Sequence, residues 1–391
     1  MIEWLGGQRH SAGCRLNTGL LTVPAKQFTS GQRRQWDAAV GQSGHLFQTT
    51  SFLSALETAW PGVFRPRHVV VSRHDEVRAL IPAYLYASCP RLDYYRRLGL
   101  APSRPGRQML VSHALVGWYG QPIFLDPDAL VLAVRRFKEV AASHHTTALF
   151  TGIDERDAVL VDTLRAEGFH VTRFHTTVVK TLRDVQADDP TASLPKRRRD
   201  RVRNMVKRAR DEGSRLHLHA GRDDPQAARF AARAWRAAGL EASALPEAFL
   251  QALLTTCDQA ETIVATDAHQ ERLGQLICFH FGQTYVIWLA SHVRHRLERS
   301  HHSHLLYVEA LRRAASLGCT AVDAGRSPNM NARQLGYAPV GLLAAAWSAD
   351  PAEQHDGERW LDALAARHLE QYPLLNMWTA ATPEQAAGRR P

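Results

Sequence analysis

The segment VDAGRS, residues 322 to 327, places an acid, a base and a hydroxyl group at the end of a short apolar run. A carboxylate at the end of a strand, beside an open groove, can act as a general base or orient an amine. Asp323 is therefore a candidate catalytic residue, and Arg326 and Ser327 are candidate ligand contacts. In the alternative interpretation, Asp323 pairs with Arg326 and only shapes the turn.

A tyrosine in the segment GWYGQ, Tyr119, is the second candidate catalytic residue. Its phenol could donate a proton to a leaving group, or its ring could only cap a groove. The sequence contains no GxSxG motif, no Cys–His pairing and no Walker motif, so a covalent nucleophile and NTP hydrolysis are not expected. The candidate chemistry is direct transfer between two bound substrates.

Positive charge is concentrated in one stretch of the chain. The formal net charge is +10, and nine basic residues against one acid lie between Lys196 and Arg210. The apolar residues within this stretch follow helical spacing, and they are Val202, Met205, Val206 and Ala209. The spacing predicts a helix that packs through one apolar stripe and leaves its basic side chains on the other faces.

The basic stretch predicts contact with an anionic partner or substrate. Almost no acid is present to form i,i+4 ion pairs, so the helix repels itself unless a negative group lies beside it. The planar guanidinium group suits bidentate contact with phosphate, and tRNA, a nucleotide diphosphate or coenzyme A could supply it. The alternatives are a merely solvated face and a nuclear address, which the apolar stripe disfavours. The candidate phosphate contacts are Lys196, Arg199, Arg203 and Lys207.

A further basic cluster lies in SHVRHRLERSHHSHLL, residues 291 to 306, between a predicted strand and a predicted helix. Ser303 is expected to cap this helix, and Arg296 would lie near its positive end. Because the cluster has no glycine for close approach of a pyrophosphate, we expect a looser phosphate or acceptor site that includes His304. A metal site is not expected, because adjacent histidines point in different directions and no carboxylate partner is spaced nearby.

One segment, RRLGLA at residues 96 to 101, fits the pattern (Q/R)xxGx(G/A), in which backbone N–H groups at a strand-to-helix corner hold a pyrophosphate. This segment is followed by PSRPG. The second segment cannot start the helix that such a site requires. We therefore do not expect the pyrophosphate to bind there.

These candidate residues require a scaffold, which the apolar periodicity predicts as two similar halves. Each half has a hairpin, a helix, a strand, a Gly-aromatic pair and a last strand. The hairpins are 68–86, with 77–86 as one strand, and 262–281, and the pairs are Gly168-Phe169 and Gly336-Tyr337. The repeated order predicts an internal duplication of the GNAT acyltransferase fold. The predicted class is α/β (α+β), with two tandem GNAT-like domains, each a mixed, mostly antiparallel sheet flanked by helices.

The same patterns divide the chain. We predict an N-terminal domain over 1–183, a polar linker over 184–193, a C-terminal domain over 194–350 opened by the basic helix, and a helical extension with a tail over 351–391. The five scattered cysteines indicate reduced thiols in a cytoplasmic protein. No signal peptide, membrane span, bound cofactor or metal is expected.

Four stretches together resemble the Fem-type family, the tandem GNAT-fold aminoacyltransferases and their FemAB-like relatives. The stretches are SFLSALETAWPG at 51–62, LVSHALVGWYGQPIF at 110–124, the basic helix, and VDAGRSPNMNARQLGYAP at 322–339. The resemblance covers about residues 51 to 347, and its last stretch is the most specific. It implies transfer of an amino acid from aminoacyl-tRNA to an amine of a peptidoglycan precursor, while other relatives act in natural-product or exopolysaccharide pathways.

The sequence departs from the family pattern at two places. Gln121 replaces the second glycine of Tyr-Gly-Gly. A late turn that contains lysine in the family reads Asn331-Ala332-Arg333, so that only Arg333 keeps a positive charge. Because that lysine is thought to steer the acyl donor, its loss weakens the case for aminoacyl-tRNA and leaves Arg333 as a candidate substrate contact.

The sequence predicts an N-acyltransferase that forms an amide bond. It would transfer an aminoacyl group from aminoacyl-tRNA, or another acyl group, to an amine of a small molecule or of a cell-wall or natural-product precursor. One alternative is an acyl-CoA-dependent GNAT N-acetyltransferase. Alternatives of other classes are a non-catalytic tRNA- or nucleic-acid-binding protein and a relative that grips substrate without chemistry. The oligomeric state is left open.

Overall fold

A computed structural model describes residues 2–4, 16–74, 76–86, 108–112, 116–183, 185–237, 245–293, 301–326 and 330–371. The chain forms two compact units, one of Met1–His175 with Gly341–Glu370 and one of Thr176–Val340 with Gln371–Pro391. The predicted α/β class with two GNAT-like halves is confirmed. The predicted domain boundaries follow the repeated order of elements, and they stay a prediction. The predicted domains are 1–183, 194–350 and 351–391.

The first half of the chain contains ten strands and four α-helices within the described ranges. The strands are β1 Ile2–Trp4, β2 Asn17–Leu21, β3 Arg65–Pro66, β4 His68–Arg73, β5 Glu76–Ile81, β6 Tyr84–Tyr86, β7 Met109–Ser112, β8 Ile123–Phe124, β9 Thr147–Asp154 and β10 His170–Thr181. The helices are α1 Ser30–Ser43, α2 Thr50–Ala59, α3 Pro127–Ser143 and α4 Ala158–Ala166.

The second half opens with the basic helix, α5 Lys196–Asp211, as predicted. The other helices are α6 Ala227–Ala237, α7 Glu247–Thr256, α8 His302–Ser316, α9 Met330–Gln334 and α10 Pro351–Gln371. The strands are β11 Arg215–Ala220, β12 Ala260–Thr266, β13 Arg272–Phe281, β14 Thr284–His292, β15 Ala321–Asp323 and β16 Ala338–Trp347. No helix in the described part of the chain is long and apolar enough to cross a lipid bilayer.

The sheets of both units are mostly antiparallel. In the first unit β1, β2, β4, β5 and β8 pair antiparallel in that order. A second group runs β3, β6, β7, β9 and β16, and only its β7–β9 pair is parallel. In the second unit the order is β11, β12, β13, β14, β15 and β10, and only the β14–β15 pair is parallel.

The predicted strand 77–86 is not continuous. It consists of β5, which ends at Ile81, and β6, which begins at Tyr84, and the two strands lie in different sheets. Pro82 lies between them, and proline cannot donate a backbone hydrogen bond within a sheet. Pro82 therefore explains why the predicted strand 77–86 is divided into two strands.

The two Gly-aromatic pairs occupy equivalent positions after a helix. Gly168 and Gly336 have φ of +81° and +80°. Each donates its N–H three residues back, to Arg165 O at 3.0 Å and to Arg333 O at 3.2 Å. The aromatic residue that follows, Phe169 or Tyr337, donates its N–H five residues back and is buried. Glycine adopts this left-handed conformation without steric cost, so the repeated pair ends each helix in the same way.

A polar cluster is buried in the core of the first unit. Tyr84 donates its hydroxyl proton to Glu57 Oε1 at 2.9 Å, and Ala83 N–H donates to His68 Nδ1 at 3.0 Å. His68 therefore carries its proton on Nε2, which lies 4.0 Å from Glu57 Oε1. This nitrogen has no hydrogen-bond partner in the described structure. Burial raises the pKa of Glu57 to about 7 and lowers the pKa of His68 to about 3.

We expect Glu57→Gln to stabilise the protein at pH 8 but not at pH 5. The pKa of Glu57 rises from 4.5 to about 7 on folding, so its contribution to stability is lost as the pH rises through that range. A shift of this size corresponds to about 3 kcal/mol at pH 8. Urea unfolding of both proteins at the two pH values measures the difference.

Glu76→Gln is the matched control, because the Glu76 side chain is 80% exposed. It should change the free energy of unfolding little at either pH. Equal effects of Glu57→Gln at pH 5 and pH 8 would contradict the buried-acid interpretation.

Candidate active site

The second unit contains a gap between two parallel strands. β14 and β15 pair over three residues, Thr284 to Val286 with Ala321 to Asp323, and no further pair between them forms in the described ranges. β14 nevertheless continues along β13 as far as His292. Helix α8 follows the carboxyl end of β14, and α9 follows that of β15, so both helices begin on the side of the gap.

A β-bulge distorts β14 where the gap begins. Ile277 of β13 pairs with Leu289 and Cys278 pairs with Ile287, so that Trp288 is an extra residue on β14. Bulges bend a strand and redirect its groups, and they are frequent next to active sites. A backbone N–H group at such a bulge is a candidate donor to an oxyanion. The sequence carries no signal for this bulge, because a register shift between two strands leaves no local pattern of residue types.

Asp323 ends β15 and is 3% exposed. Its Oδ1 accepts hydrogen bonds from Thr177 Oγ1 at 2.7 Å and from the Gly325 N–H at 2.8 Å. The carboxylate therefore joins β10 to the turn after β15. Arg326 is half-buried just beyond this turn. These contacts favour the interpretation in which Asp323 shapes the turn, while its predicted catalytic role stays a prediction.

Helix α8 begins differently from the prediction. Its N-cap is His301, whose side chain makes no capping bond, and Ser303 lies inside the first turn. The prediction that Ser303 caps the helix is therefore wrong. The reason is that the N-cap lies two residues earlier than the polar pattern indicated, so that Ser303 is inside the helix and only 9% exposed.

Two histidines pair beneath the start of α8. His292 Nδ1 and His302 Nε2 lie 3.2 Å apart, and burial lowers their pKa values to about 3 and about 4. Gly274 of β13 makes room for them, because a Cβ at this position would lie 2.6 Å from His292 Nδ1. The pair is therefore neutral at physiological pH and forms part of the packing between α8 and the sheet.

His304 connects α8 to α9. Its Nε2 lies 2.8 Å from Gln334 Oε1, and its Nδ1 is buried without a hydrogen-bond partner among the described residues. Burial lowers the pKa of His304. Tyr337 is another buried polar group that the sequence analysis did not select as a site residue. Its hydroxyl has no partner in the described structure, and burial raises its pKa.

The basic helix packs through its apolar stripe as predicted, and two of its arginines contact the predicted linker 184–193. Val202 and Ala209 are fully buried. Arg199 donates to Ala192 O at 3.1 Å, and Arg203 donates to Thr191 Oγ1 at 3.3 Å and forms an ion pair with Asp189. Two of the four predicted phosphate contacts therefore hold the linker against the helix.

The other basic side chains of α5 extend into solvent. Lys196 and Lys207, both predicted phosphate contacts, are exposed. Arg197, Arg201 and Arg208 lie on the flank of the helix away from the linker contacts and are also exposed. None of these three arginines forms an ion pair or hydrogen bond with a described residue. They are available to an anionic ligand without loss of an internal contact.

In the first unit the corresponding gap is closed by the chain itself. β7 and β9 pair in parallel from Met109–Thr147 to Ser112–Phe150. Beyond these pairs, Gly120 donates its N–H to Gly152 O at 3.3 Å, and Asp154 donates its N–H to Gln121 Oε1 at 2.9 Å. The segment 118–121 therefore covers the edge of β9 where a ligand would otherwise bind.

Tyr119, the other predicted catalytic residue, belongs to this closing segment. It is 6% exposed, and its ring stacks on that of His45 with centroids 3.9 Å apart. Burial lowers the pKa of His45 to about 4. Tyr119 lies in the first unit, whereas the other predicted site residues belong to the second, and its proton-donor role stays a prediction.

The remaining predicted residues lie at the edges of the described structure. Arg333 is half-buried on α9, next to the fully buried Ala332, so position 332 does not present a charged group. Arg296, Ser327 and the segment 96–101 lie outside the described residues. No group of three or more potential metal ligands occurs among the residues that the structure describes.

Residues 196–333 match the family model of the acetyltransferase (GNAT) domain. Among solved structures, FemX is similar with a TM-score of 0.55 and 12% identity over 80% of this chain and 95% of that chain. L-PGS from Bacillus licheniformis has a TM-score of 0.53 and 14% identity over 84% and 96%. A protein of unknown function from Bacteroides thetaiotaomicron has a TM-score of 0.58 and 10% identity over 84% and 99%. No curated protein sequence matches significantly.

The family model defines the class of one part of the protein, because residues 196–333 form a GNAT acetyltransferase domain. The fold of the chain is similar to the folds of FemX and L-PGS, in agreement with the Fem-type resemblance found in the sequence. At these identities the likeness to solved structures concerns the fold.

Proposed function

We propose that the protein forms an amide bond by transferring an acyl group from a phosphate-bearing donor to an amine. The gap between β14 and β15, with the bulge at Trp288, is the observation that carries this proposal. An acyl carbonyl in the gap would accept hydrogen bonds from backbone N–H groups, which stabilise the oxyanion as the amine attacks. Because both substrates are held together, proximity supplies much of the rate.

The second unit is the proposed donor site. The GNAT match falls on residues 196–333, and in the first unit the segment 118–121 occupies the equivalent edge. A Cβ on Gly152 would lie 1.8 Å from Trp118 O, so the closing segment has no space beneath it. We therefore expect one donor to bind per chain.

Aminoacyl-tRNA is the donor that we propose, and acyl-coenzyme A is the alternative. A GNAT domain ordinarily takes acyl-coenzyme A. The exposed Arg197, Arg201 and Arg208 form a charged flank that extends along most of α5, which is longer than a single pyrophosphate needs. The acceptor would be an amine of a small molecule or of a cell-wall or natural-product precursor.

The donors are separated by incubating the pure protein with charged tRNA or with acyl-coenzyme A, each with a panel of amines. We expect an amide product, detected by mass spectrometry, with charged tRNA. Product only with acyl-coenzyme A would support the alternative donor. Salt-dependent tRNA binding without product from either donor would support the non-catalytic nucleic-acid-binding alternative.

Replacing Arg197 and Arg201 together with alanine is expected to weaken tRNA binding about tenfold and to reduce the salt slope by about 2. Both side chains are exposed and support no internal contact in the described structure, so the melting temperature should not change. Binding titrations at several salt concentrations measure the effect.

The matched control is Arg199→Ala with Arg203→Ala, which removes the same charge. Because these arginines hold Ala192, Thr191 and Asp189, this variant should lower the melting temperature. Unchanged tRNA binding by the Arg197/Arg201 variant would refute the assignment of phosphates to the exposed flank.

A further inference from the structure

We infer that His304 is the base that accepts the proton of the attacking amine, and that Gln334 positions it. The inference rests on the proposed acyl transfer and deepens it. It requires a free lone pair on His304, a neutral imidazole and a location at the gap between β14 and β15.

Gln334 fixes the tautomer of His304. The Nε2 atom lies 2.8 Å from the amide oxygen of Gln334, which can only accept a hydrogen bond. Nε2 therefore carries the proton, and Nδ1 presents a lone pair. Nδ1 has no partner among the residues that the structure describes, although the side chain is only 8% exposed. A buried acceptor without a partner is costly, and we propose that the N–H group of the attacking amine is the donor that it accepts.

The surroundings of His304 keep it neutral. Burial lowers its pKa, the nearby His301 lowers it further, and the bond to Gln334 raises it. Gln334 itself is uncharged, so no carboxylate is hydrogen-bonded to the ring to stabilise the imidazolium form. At neutral pH the ring is therefore an unprotonated base.

The fold places His304 on the side of the gap. It is the third residue of α8, which follows the carboxyl end of β14, and Gln334 is the last residue of α9, which follows that of β15. The two helices pack against each other. Lys180 Nζ donates to Leu335 O at 2.8 Å and fixes the end of α9. The base and its positioning residue thus come from the two helices that start at the open strand ends.

The proton of the amine passes through His304 to the leaving group. The amine nitrogen attacks the carbonyl carbon of the donor ester or thioester, and a C–N bond forms as its proton passes to His304 Nδ1. The C–O or C–S bond then breaks, and the leaving group keeps the electron pair. The imidazolium returns the proton to the leaving group, because burial disfavours its charge. The enzyme is regenerated without any other reactant.

Asp323 is less suited to this step. Its Oδ1 already accepts from Thr177 Oγ1 and from the Gly325 N–H. A base that is held by two donors is weakened, whereas His304 Nδ1 has its lone pair free in the described structure.

The inference is tested with His304→Asn, His304→Gln and Gln334→Glu in the acylation assay, using the donor that the wild-type protein accepts. The asparagine amide lies near the position of the imidazole Nδ1, and the glutamine amide lies near the position of Nε2. Neither amide can accept a proton near neutral pH. We expect kcat/KM to fall by about 10²–10³ in both variants and the acidic limb of the pH profile to disappear. Gln334→Glu should shift that limb to higher pH, because a carboxylate stabilises the imidazolium.

His269→Gln is the matched control, since His269 is exposed in the turn between β12 and β13 of the same unit. It should retain full activity. Values of kcat/KM within threefold of wild type for the His304 variants, or an unmoved acidic limb in Gln334→Glu, would overturn the inference alone. If a His304 variant does not fold, the pH profile of Gln334→Glu still tests whether His304 is the base. No turnover by the wild-type protein with either donor would overturn the proposed function and this inference with it.

Discussion

Replacing Gly152 with alanine is expected to unfold the first unit or to destabilise it by more than about 4 kcal/mol, an exceptionally large effect for one methyl group. A Cβ at this position would lie 1.8 Å from Trp118 O and 3.0 Å from Tyr119 Cα. Both atoms belong to the backbone of the closing segment, so they cannot rotate away. The φ of +72° adds a further cost for any residue other than glycine. Urea unfolding and soluble yield measure the effect.

Gly62→Ala is the matched control for this prediction. Gly62 has a φ of +78°, but a Cβ there would meet no atom within 4 Å. Its substitution should destabilise the protein only by the cost of placing a residue with a Cβ in the left-handed conformation, about 1 kcal/mol. If the two variants were equally stable, the close contact between Gly152 and the closing segment would be disproved.

Replacing Asp323 with alanine is expected to cost about 3 kcal/mol of stability and to abolish acylation, because two hydrogen bonds to a buried carboxylate are lost. Thr177 Oγ1 and the Gly325 N–H would both be left without their acceptor. The turn that ends β15 at the gap would then lose its fixed position. Thermal unfolding and kcat/KM measure the two losses.

Asp323→Asn separates a structural role from a catalytic one. The asparagine oxygen can still accept from the two donors, but it cannot act as a base. We expect the variant to keep kcat/KM within about tenfold of the wild type, since general-base catalysis contributes about 10²–10⁴ in rate. A larger loss with unchanged stability would identify Asp323 as the base and would argue against His304.

Local patterns in the sequence were sufficient to predict most elements of this protein. The hairpin at 262–281, the apolar stripe of the basic helix and the two Gly-aromatic pairs were all confirmed. Each depends on residues within a few positions of one another, since side-chain periodicity and the φ preference of glycine act locally. The break at Pro82 was also a local signal, and it was missed.

The sequence also indicated the GNAT class and the Fem-like resemblance, and the family model for residues 196–333 supports that class. It did not determine which residues of the site come together. Gln334 is thirty positions from His304, and their contact depends on the packing of α8 against α9. The engagement of Arg199 by the linker likewise depends on how the chain folds back on itself.

Sequence alone thus determined where the charge, the helices and the duplicated elements lie, because these features follow from residue type and spacing. Only the tertiary structure decided that the gap in the first unit is closed by the segment 118–121. Gly120 donates its N–H to Gly152 O, and the Gln121 side chain accepts from the Asp154 N–H. Such long-range bonds are set by the packed chain and leave no periodic signal, so the two halves have similar patterns in the sequence although this segment distinguishes the first half.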